Sequence, residues 1–265
     1  MMRSSSSEVV ASSDPAFRAG DAVLATGCGL SEVRDGGYSQ YVRLEARSTI
    51  ALPTGLSLRE AMVLGTAGFT AALALLRMQD NRQTPELGPL AVTGATGGVG
   101  SLAVDIFNRA GYEVHAISGK ADQVDYLRHL GASEVLGRDA LATTRPMESA
   151  RFGGGLDNVG GPMLTSLLAQ TRPWGSVVSA GLAASGELNA TVMPFIIRGV
   201  SLLGVTSSNA PRHLREQVWQ RLASDWKPRH LDTICTREAT LEELPEVFAN
   251  MLAGRSFGRT VVRLD

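Results

Sequence analysis

A short apolar run that ends in a glycine-rich turn constrains this chain more than any other stretch. Residues 90–93 (LAVT) lead into Gly94-Ala95-Thr96-Gly97-Gly98-Val99-Gly100, and an apolar-periodic segment begins at residue 101. This is the layout of a strand, a tight phosphate-binding turn and a helix whose N-terminus faces the turn. The spacing is G-x-x-G-x-x-G rather than G-x-G-x-x-G, so its flanking strand and helix are what make the pattern informative. We therefore predict a dinucleotide site at this turn.

Strand-like and helix-like segments alternate on both sides of the turn. Further strands are predicted at 113–117, 135–136, 155–159, 176–180 and 200–205. Helices are predicted on either side of residues 65–68 and at 101–110, 121–130, 162–170, 212–223 and 241–252. Such alternation favours an α/β fold with a doubly wound parallel sheet of the Rossmann type.

The first 54 residues differ in character. Short strand-like runs at 9–10, 22–25 and 38–42 are separated by Gly, Asp and Pro, and residues 1–8 read as a frayed end. A last strand at 259–264 is expected to rejoin this part. So few strands would leave bare sheet edges, so the beginning of the chain is expected to be incomplete.

Bulk properties exclude several classes of partner. The chain has 265 residues, a net charge of −1 and two cysteines without metal-ligand spacing. We therefore expect no nucleic acid, membrane or metal partner, and a cytoplasmic location.

The end of the second strand predicts which dinucleotide is bound. An NAD site typically has Asp or Glu about 20 residues after the glycine turn, to accept from the ribose hydroxyls. Here the strand ends in Ser118-Gly119-Lys120, which offers donors suited to a 2′-phosphate, and Arg138 adds a second positive group. These residues favour NADPH, although Lys120 read alone could be a solvated residue at a helix start.

Other polar residues remain open to two interpretations. Asp157 follows a strand at the same sheet edge and could be a ligand group or only a strand-end cap. Tyr38 and Tyr41 could be proton donors, but strand alternation explains them equally well. The four histidines are scattered through the sequence, which favours core or surface roles over a catalytic one.

Taken together, these motifs resemble the medium-chain dehydrogenase/reductase superfamily, in its zinc-free quinone-oxidoreductase branch. Within that branch the chain is most similar to the NADPH-dependent acrylyl-CoA reductases. The resemblance rests on residues 65–71 (GTAGFTA), the turn at 93–101, residues 118–120 (SGK), Arg145-Pro146 and residues 191–196 (TVMPFI).

The resemblance implies a division of the chain and a set of cofactor contacts. Residues 1–68 would form part of a GroES-like β-rich catalytic domain, 69–206 the NADPH-binding domain, and 207–265 helices and a strand returning to the catalytic domain. Phosphate contacts would come from Thr96, Gly97, Gly98 and Val99. Ser118, Gly119, Lys120 and Arg138 would hold the 2′-phosphate, and Leu182, Ile196 and Ser207 would line the nicotinamide half.

The resemblance also implies an activity and an assembly. The expected reaction is NADPH-dependent reduction of a small enoyl thioester such as acrylyl-CoA, and the expected assembly is a homodimer formed through the edge strand at 200–205. A quinone or enone reductase would share the same nucleotide site. Family members carry a further block before the segment matching residues 9–10, so a truncated NADPH-binding protein with little activity is a third hypothesis. No catalytic residue is assigned.

Overall fold

The serine-rich start of the chain forms a strand. The computed structural model describes residues 4–264 and begins with β1 (Ser4–Glu8), which pairs antiparallel with β2 (Ala22–Thr26). Strand β3 (Ile50–Ala51) pairs with the other side of β2. The prediction of a frayed end is therefore wrong for residues 4–8, while residues 1–3 lie outside the described part. The buried apolar residues of β2 provide a template, and its backbone pairing outweighs the low strand propensity of serine.

Two strands predicted in this first part are not observed. Residues 9–10 follow the end of β1, and residues 38–42 lie in an irregular segment. Positive φ values at Gly27, Cys28 and Gly29 turn the chain sharply at the end of β2. Tyr41, which a strand at 38–42 would place on a buried sheet face, is 77% exposed. The pattern of apolar residues in this segment therefore does not mark a buried face.

A long buried helix links the first part to the rest. Helix α1 (Leu58–Asp80) begins with a capping box between Ser57 and Glu60 and is broken at Gly65, where φ is 48° and ψ is −151°. The prediction of two helices around residues 65–68 is confirmed. By length and composition α1 could cross a membrane, but 83% of its most apolar window is buried within the fold, as in the core helix of a globular protein.

The apolar run before the glycine turn is a central strand of a six-stranded sheet. Every strand pair in this sheet is parallel. Its strands are β4 (Leu90–Thr93), β5 (Val114–Ile117), β6 (Glu134–Leu136), β7 (Phe152–Asp157), β8 (Thr171–Ser179) and β9 (Ser201–Gly204). Their spatial order is β6-β5-β4-β7-β8-β9, the doubly wound order that the sequence predicted. The order reverses between β4 and β7, and this is the place where such sheets bind ligands.

Helices connect and flank these strands. They are α2 (Gly98–Arg109), α3 (Val124–His129), α4 (Gly161–Ala169), α5 (Met193–Arg198), α6 (Arg212–Leu222), α7 (Leu231–Ile234) and α8 (Leu244–Leu252). The closing strand β11 (Arg259–Val262) pairs in parallel with β10 (Cys235–Ala239) in a separate two-stranded sheet. Strand β11 therefore pairs with β10 and not with a strand of the first part, although Leu264 just after it borders a cavity with residues 5–8. The return of this strand to the first part of the chain stays a prediction.

Candidate dinucleotide site

The glycine turn leaves the N-terminus of α2 open to an anion. Gly97 is the N-cap residue, and no side chain within residues 4–264 caps the helix. Its amide donates to the Gly94 carbonyl at 2.9 Å, and the first amide to bond back into the helix is that of Ser101, to Gly97 O at 2.8 Å. The amides of residues 98–100 are therefore free at the positive end of the helix dipole, the usual arrangement for binding phosphate.

The turn is possible only because Gly100 has no side chain. A Cβ atom at this position would lie 2.3 Å from Gly94 O and 2.6 Å from the Cα of Ala95. Both are backbone atoms, which cannot move aside without opening the turn. Gly94 itself has a φ of 59°. The sequence pattern thus reflects close contact between the helix and the turn.

A buried carboxylate holds the strand end behind the turn in place. The Thr93 hydroxyl donates to Asp157 Oδ1 at 2.6 Å, and the Gly160 amide donates to Oδ2 at 2.7 Å. Asn158 adds two bonds to Thr93, one through each of its nitrogens. Burial raises the pKa of Asp157, although these hydrogen bonds oppose the shift. Asp157 therefore links β4 to β7 across the switch point, which supports its interpretation as a cap.

Arg259 lies at the mouth of the turn and was not predicted as a site residue. A Cβ atom on Gly98 would lie 3.0 Å from Cδ of Arg259 and 3.3 Å from its Nη1. Its Nε donates to Val63 O at 2.9 Å, and within residues 4–264 the guanidinium has no carboxylate partner. Desolvation lowers the pKa of Arg259, against the influence of Cys235 and Tyr38. A partly buried cation without a counterion, beside free helix amides, is a second element of an anion site.

The second strand brings its donors beside the turn. Ser118 Oγ lies 3.5 Å from Thr96 Oγ1 and accepts from the Lys120 amide at 3.0 Å. A Cβ atom on Gly119 would lie 2.7 Å from Nε of Arg138, so this guanidinium rests directly on the glycine. Within residues 4–264 the side chain of Arg138 has no hydrogen bond or ion pair, and it is exposed. It is therefore free to bind an anion above Gly119.

Lys120 has a partner that the sequence did not indicate. Its Nζ donates to the backbone carbonyl of Ser256, three residues before Arg259. Gly258 donates to Thr96 O at 2.9 Å, so the segment before β11 is bonded both to the glycine turn and to the second strand end. Lys120 is thus neither free nor simply solvated in this structure.

A groove of 520 Å³ continues from Arg138 and is lined by Thr143, Arg145, Pro162 and Met163, among others. Its position, at the carboxyl side of the sheet beyond β6, suits the adenosine end of a dinucleotide whose phosphates lie at α2.

The predicted nicotinamide residues lie on three separate segments. Leu182 follows β8 and is 70% exposed, while Ile196 lies on α5 and is 76% exposed. Ser207 follows β9, and its carbonyl lies 3.5 Å from Nη1 of Arg215. Leu182 and Ser207 are at the carboxyl ends of parallel strands, the same sheet edge as the glycine turn.

The other candidates have structural partners. His230 bonds to the buried Asp105, and its ring lies 4.6 Å from that of His129. His115 lies between Glu113 and Glu134. Tyr38 borders a cavity of 390 Å³ with Arg259 and Val99, and burial raises its pKa. The part of the chain that the structure describes holds no group of three or more His, Cys, Asp or Glu placed to bind a metal.

Comparisons with known sequences agree on one family. The sequence model of the zinc-binding dehydrogenase family matches residues 98–224. The chain is 48% identical to a putative quinone oxidoreductase, YhfP, of Bacillus subtilis over 97% of its own length and 78% of the relative's. It is 45% identical to the acrylyl-CoA reductase AcuI of Ruegeria pomeroyi over 96% of its length and 77% of the relative's.

Solved structures extend the comparison to bound cofactors. YhfP of Bacillus subtilis with NAD bound superposes with a TM-score of 0.97 at 46% identity, over 100% of this chain and 81% of that one. YhdH of Escherichia coli with bound NADPH superposes with a TM-score of 0.95 at 41% identity, over 99% of this chain and 81% of that one.

Proposed function

Because the chain belongs to the medium-chain dehydrogenase/reductase superfamily, we propose that it is an NADPH-dependent oxidoreductase that reduces the carbon–carbon double bond of a small enoyl thioester such as acrylyl-CoA. The assignment of NADPH as the cofactor rests on the group of hydrogen-bond donors around Gly119. The guanidinium of Arg138, which has no ion pair within residues 4–264, rests on this glycine, and residues 118–120 include no Asp or Glu. Similarity to AcuI supports the substrate class.

The donor set fits the three phosphates of NADPH. We assign the pyrophosphate to the turn at Thr96, Gly97, Gly98 and Val99, where the free amides of Gly98 and Val99 would donate to it, with Arg259 as its counterion. The 2′-phosphate would be held by Ser118, Gly119, Lys120 and Arg138. To bind it, the ammonium group of Lys120 would leave the carbonyl of Ser256 or contact both groups at once. Charge-assisted bonds of this kind are the strong ones, and Arg138 supplies a planar fork suited to phosphate.

The nicotinamide half would lie along the strand ends after β8 and β9. We propose that Leu182 and Ser207 line it and exclude water from the reacting carbon. Ile196, also predicted there, lies on α5, whose Arg198 bonds to the carbonyl of Ala169 and to that of Thr171 at the start of β8. When bound, NADPH would supply the hydride that adds to the β-carbon of the substrate, and water would supply the proton that the α-carbon takes up. The contribution of the chain is to hold the ring in register with the substrate and to donate hydrogen bonds to the thioester oxygen as it gains charge.

A quinone or enone acceptor is the second candidate, favoured by the similarity to YhfP. Steady-state oxidation of NADPH separates the two, with acrylyl-CoA and a benzoquinone compared at equal concentration. We expect kcat/KM for acrylyl-CoA to exceed that for the quinone by about tenfold or more, the value of one additional good polar contact. A preference for the quinone would overturn the thioester assignment. Oxidation of NADPH by neither acceptor would overturn both.

We also propose that two chains associate through β9, which is an edge strand of the six-stranded sheet. Unpaired edge strands are ready templates for strand addition. Light scattering that gives twice the mass of the chain supports this assembly, and a monomer contradicts it.

A further inference from the structure

A buried arginine joins the end of β2, in the three-stranded sheet, to the segment proposed to line the nicotinamide. Arg215 lies on α6 and is only 2% exposed. Its Nη2 donates to the carbonyl of Thr26 at the end of β2, and to the Thr26 hydroxyl at 3.3 Å. Its Nη1 reaches Ser207 O, at the longer distance of 3.5 Å. One side chain thus contacts two segments that are far apart in the sequence.

The two segments also press against each other directly. The Cys28 amide donates to Ser208 O at 2.9 Å. A Cβ atom on Gly27 would lie 2.7 Å from the Cα of Ser208, so only glycine permits this approach. Gly27 and Cys28 both have positive φ values, of 66° and 53°. The junction is therefore a tight backbone contact, and Arg215 bonds to a carbonyl on each side of it.

The charge of Arg215 is poorly compensated for so buried a position. No ion pair with a carboxylate is found among residues 4–264, and the buried Nε has no hydrogen-bond partner there. The Phe69 ring lies 5.6 Å from Cζ. Burial lowers the pKa of Arg215, and the Cys28 thiol beside it opposes this shift. A buried, unpaired charge opposes folding, so a hydrocarbon side chain would fill this space at lower cost. The arrangement indicates a role other than stability.

We infer that Arg215 is a positioning residue for the reduction, which fixes the Ser207–Ser208 backbone against the Thr26–Cys28 turn and thereby sets the position of the nicotinamide ring. The inference rests on the function proposed above. Arg215 itself is too deeply buried to touch the coenzyme, and it acts through the backbone of Ser207. The phosphate contacts lie at α2 and β5, so affinity for NADPH should depend little on Arg215, whereas alignment of the ring should depend on it strongly.

The test compares Arg215→Lys and Arg215→Met with Arg221→Lys as the matched control. Arg221 lies on the same helix, but its guanidinium stacks on Trp226 and bonds to Asp225. For each variant we would measure the thermal midpoint, the Kd for NADPH, the emission of bound NADPH, kcat and KM. The deuterium isotope effect with NADPH labelled at C4 would also be measured.

We expect Arg215→Met to bind NADPH within about threefold of the wild type, with kcat lowered by about tenfold or more and a larger isotope effect, since misplaced reacting atoms slow the chemical step. Arg215→Lys should recover part of kcat through its single ammonium group, and Arg221→Lys should match the wild type. The emission of bound NADPH should change in Arg215→Met, because the ring surroundings are altered.

Two results would overturn the inference. One is an unchanged kcat, isotope effect and NADPH emission in Arg215→Met. The other is parallel loss of thermal midpoint, NADPH affinity and kcat, which would make Arg215 a purely structural residue. A wild type that oxidises no NADPH would contradict the proposed function instead, and the emission of bound NADPH would then still decide the role of Arg215.

Discussion

At the scale of single residues, the candidate site depends on side chains that are missing as much as on those present. Gly100 lets α2 touch the turn, and Gly119 lets the guanidinium of Arg138 approach the backbone closely. Free amides then lie near the guanidinium groups of Arg138 and Arg259, neither of which has a carboxylate partner within residues 4–264. The glycines of the turn were predictable from the sequence, because their spacing along one turn is a local property.

Replacement of Gly100 by alanine should damage both fold and site. The added methyl group would collide with backbone atoms of Gly94 and Ala95. We expect a loss of about 1–3 kcal/mol in the free energy of unfolding and NADPH binding weaker by about tenfold or more. Urea unfolding and fluorescence titration measure these. Gly137→Ala is the matched control, since a Cβ there meets open space. Wild-type NADPH affinity in Gly100→Ala would refute the account of the turn.

The buried carboxylate behind the turn predicts a pH dependence. The folded-state pKa of Asp157 is raised above its ordinary value. Between those two values the folded protein binds more protons than the unfolded chain, so the contribution of Asp157 to stability falls as pH rises through that window. Asparagine does not titrate. Stability of the wild type relative to Asp157→Asn should therefore be greatest below about pH 4 and decline as the pH rises above it.

Urea unfolding of both proteins across this pH range measures the difference, with Asp80→Asn as a control for the loss of an exposed carboxylate. A wild-type advantage that grows with pH would contradict the assignment.

At the scale of elements, the break in α1 contributes to the site as well as to the fold. A helix interrupted at Gly65 leaves carbonyls of the preceding turn without helical partners. One of them, Val63 O, accepts from Nε of Arg259. The kink therefore helps to place the cation at the mouth of the glycine turn.

Gly65→Ala should show this connection. Its φ of 48° and ψ of −151° lie in a region that residues with a Cβ avoid. We expect a loss of about 1–3 kcal/mol in unfolding free energy, together with weaker NADPH binding. Ala67→Gly, the reverse exchange in the same helix, should cost about 1 kcal/mol. Unfolding and NADPH titration of both variants provide the comparison. If Gly65→Ala were as stable as the wild type and bound NADPH normally, the kink would have neither role.

Elements with a strong periodic signal were predictable from sequence, and those made by long-range pairing were not. The strand at residues 90–93 begins as an apolar run, and the one at 176–180 is centred on two valines, so both are recognisable from the local sequence. Strand β1 consists mostly of serine and exists because β2 offers it a partner. Strand β10 is likewise defined by its pairing with β11. For residues 38–42 the prediction of a strand is wrong for the opposite reason. Their local pattern is typical of a strand, but they pair with no sheet within the described chain.

At the scale of the whole molecule, the site is assembled from distant parts of the chain. The proximity of Ser118, Gly119 and Arg138 was predictable because strand ends in a parallel sheet meet at one edge, while their binding of a phosphate stays a prediction. Arg259 and Arg215 were not, since nothing in the spacing of the sequence places either beside a strand end. Their positions follow from the packing of β11 and α6 against α1, which only the three-dimensional structure provides.

The central claim is that this chain binds NADPH through a 2′-phosphate site centred on Arg138. The most direct measurement is the ratio of Kd values for NADH and NADPH in the wild type, Arg138→Met and Arg109→Met, the last being an exposed arginine at the far end of α2 from the glycine turn. We predict that the wild type prefers NADPH by about 10–100-fold, as one or two charge-assisted bonds would give. Arg138→Met should lose most of this preference without weakening NADH, while Arg109→Met keeps it. Equal affinity of the wild type for both coenzymes, or equal weakening of both by Arg138→Met, would contradict the claim.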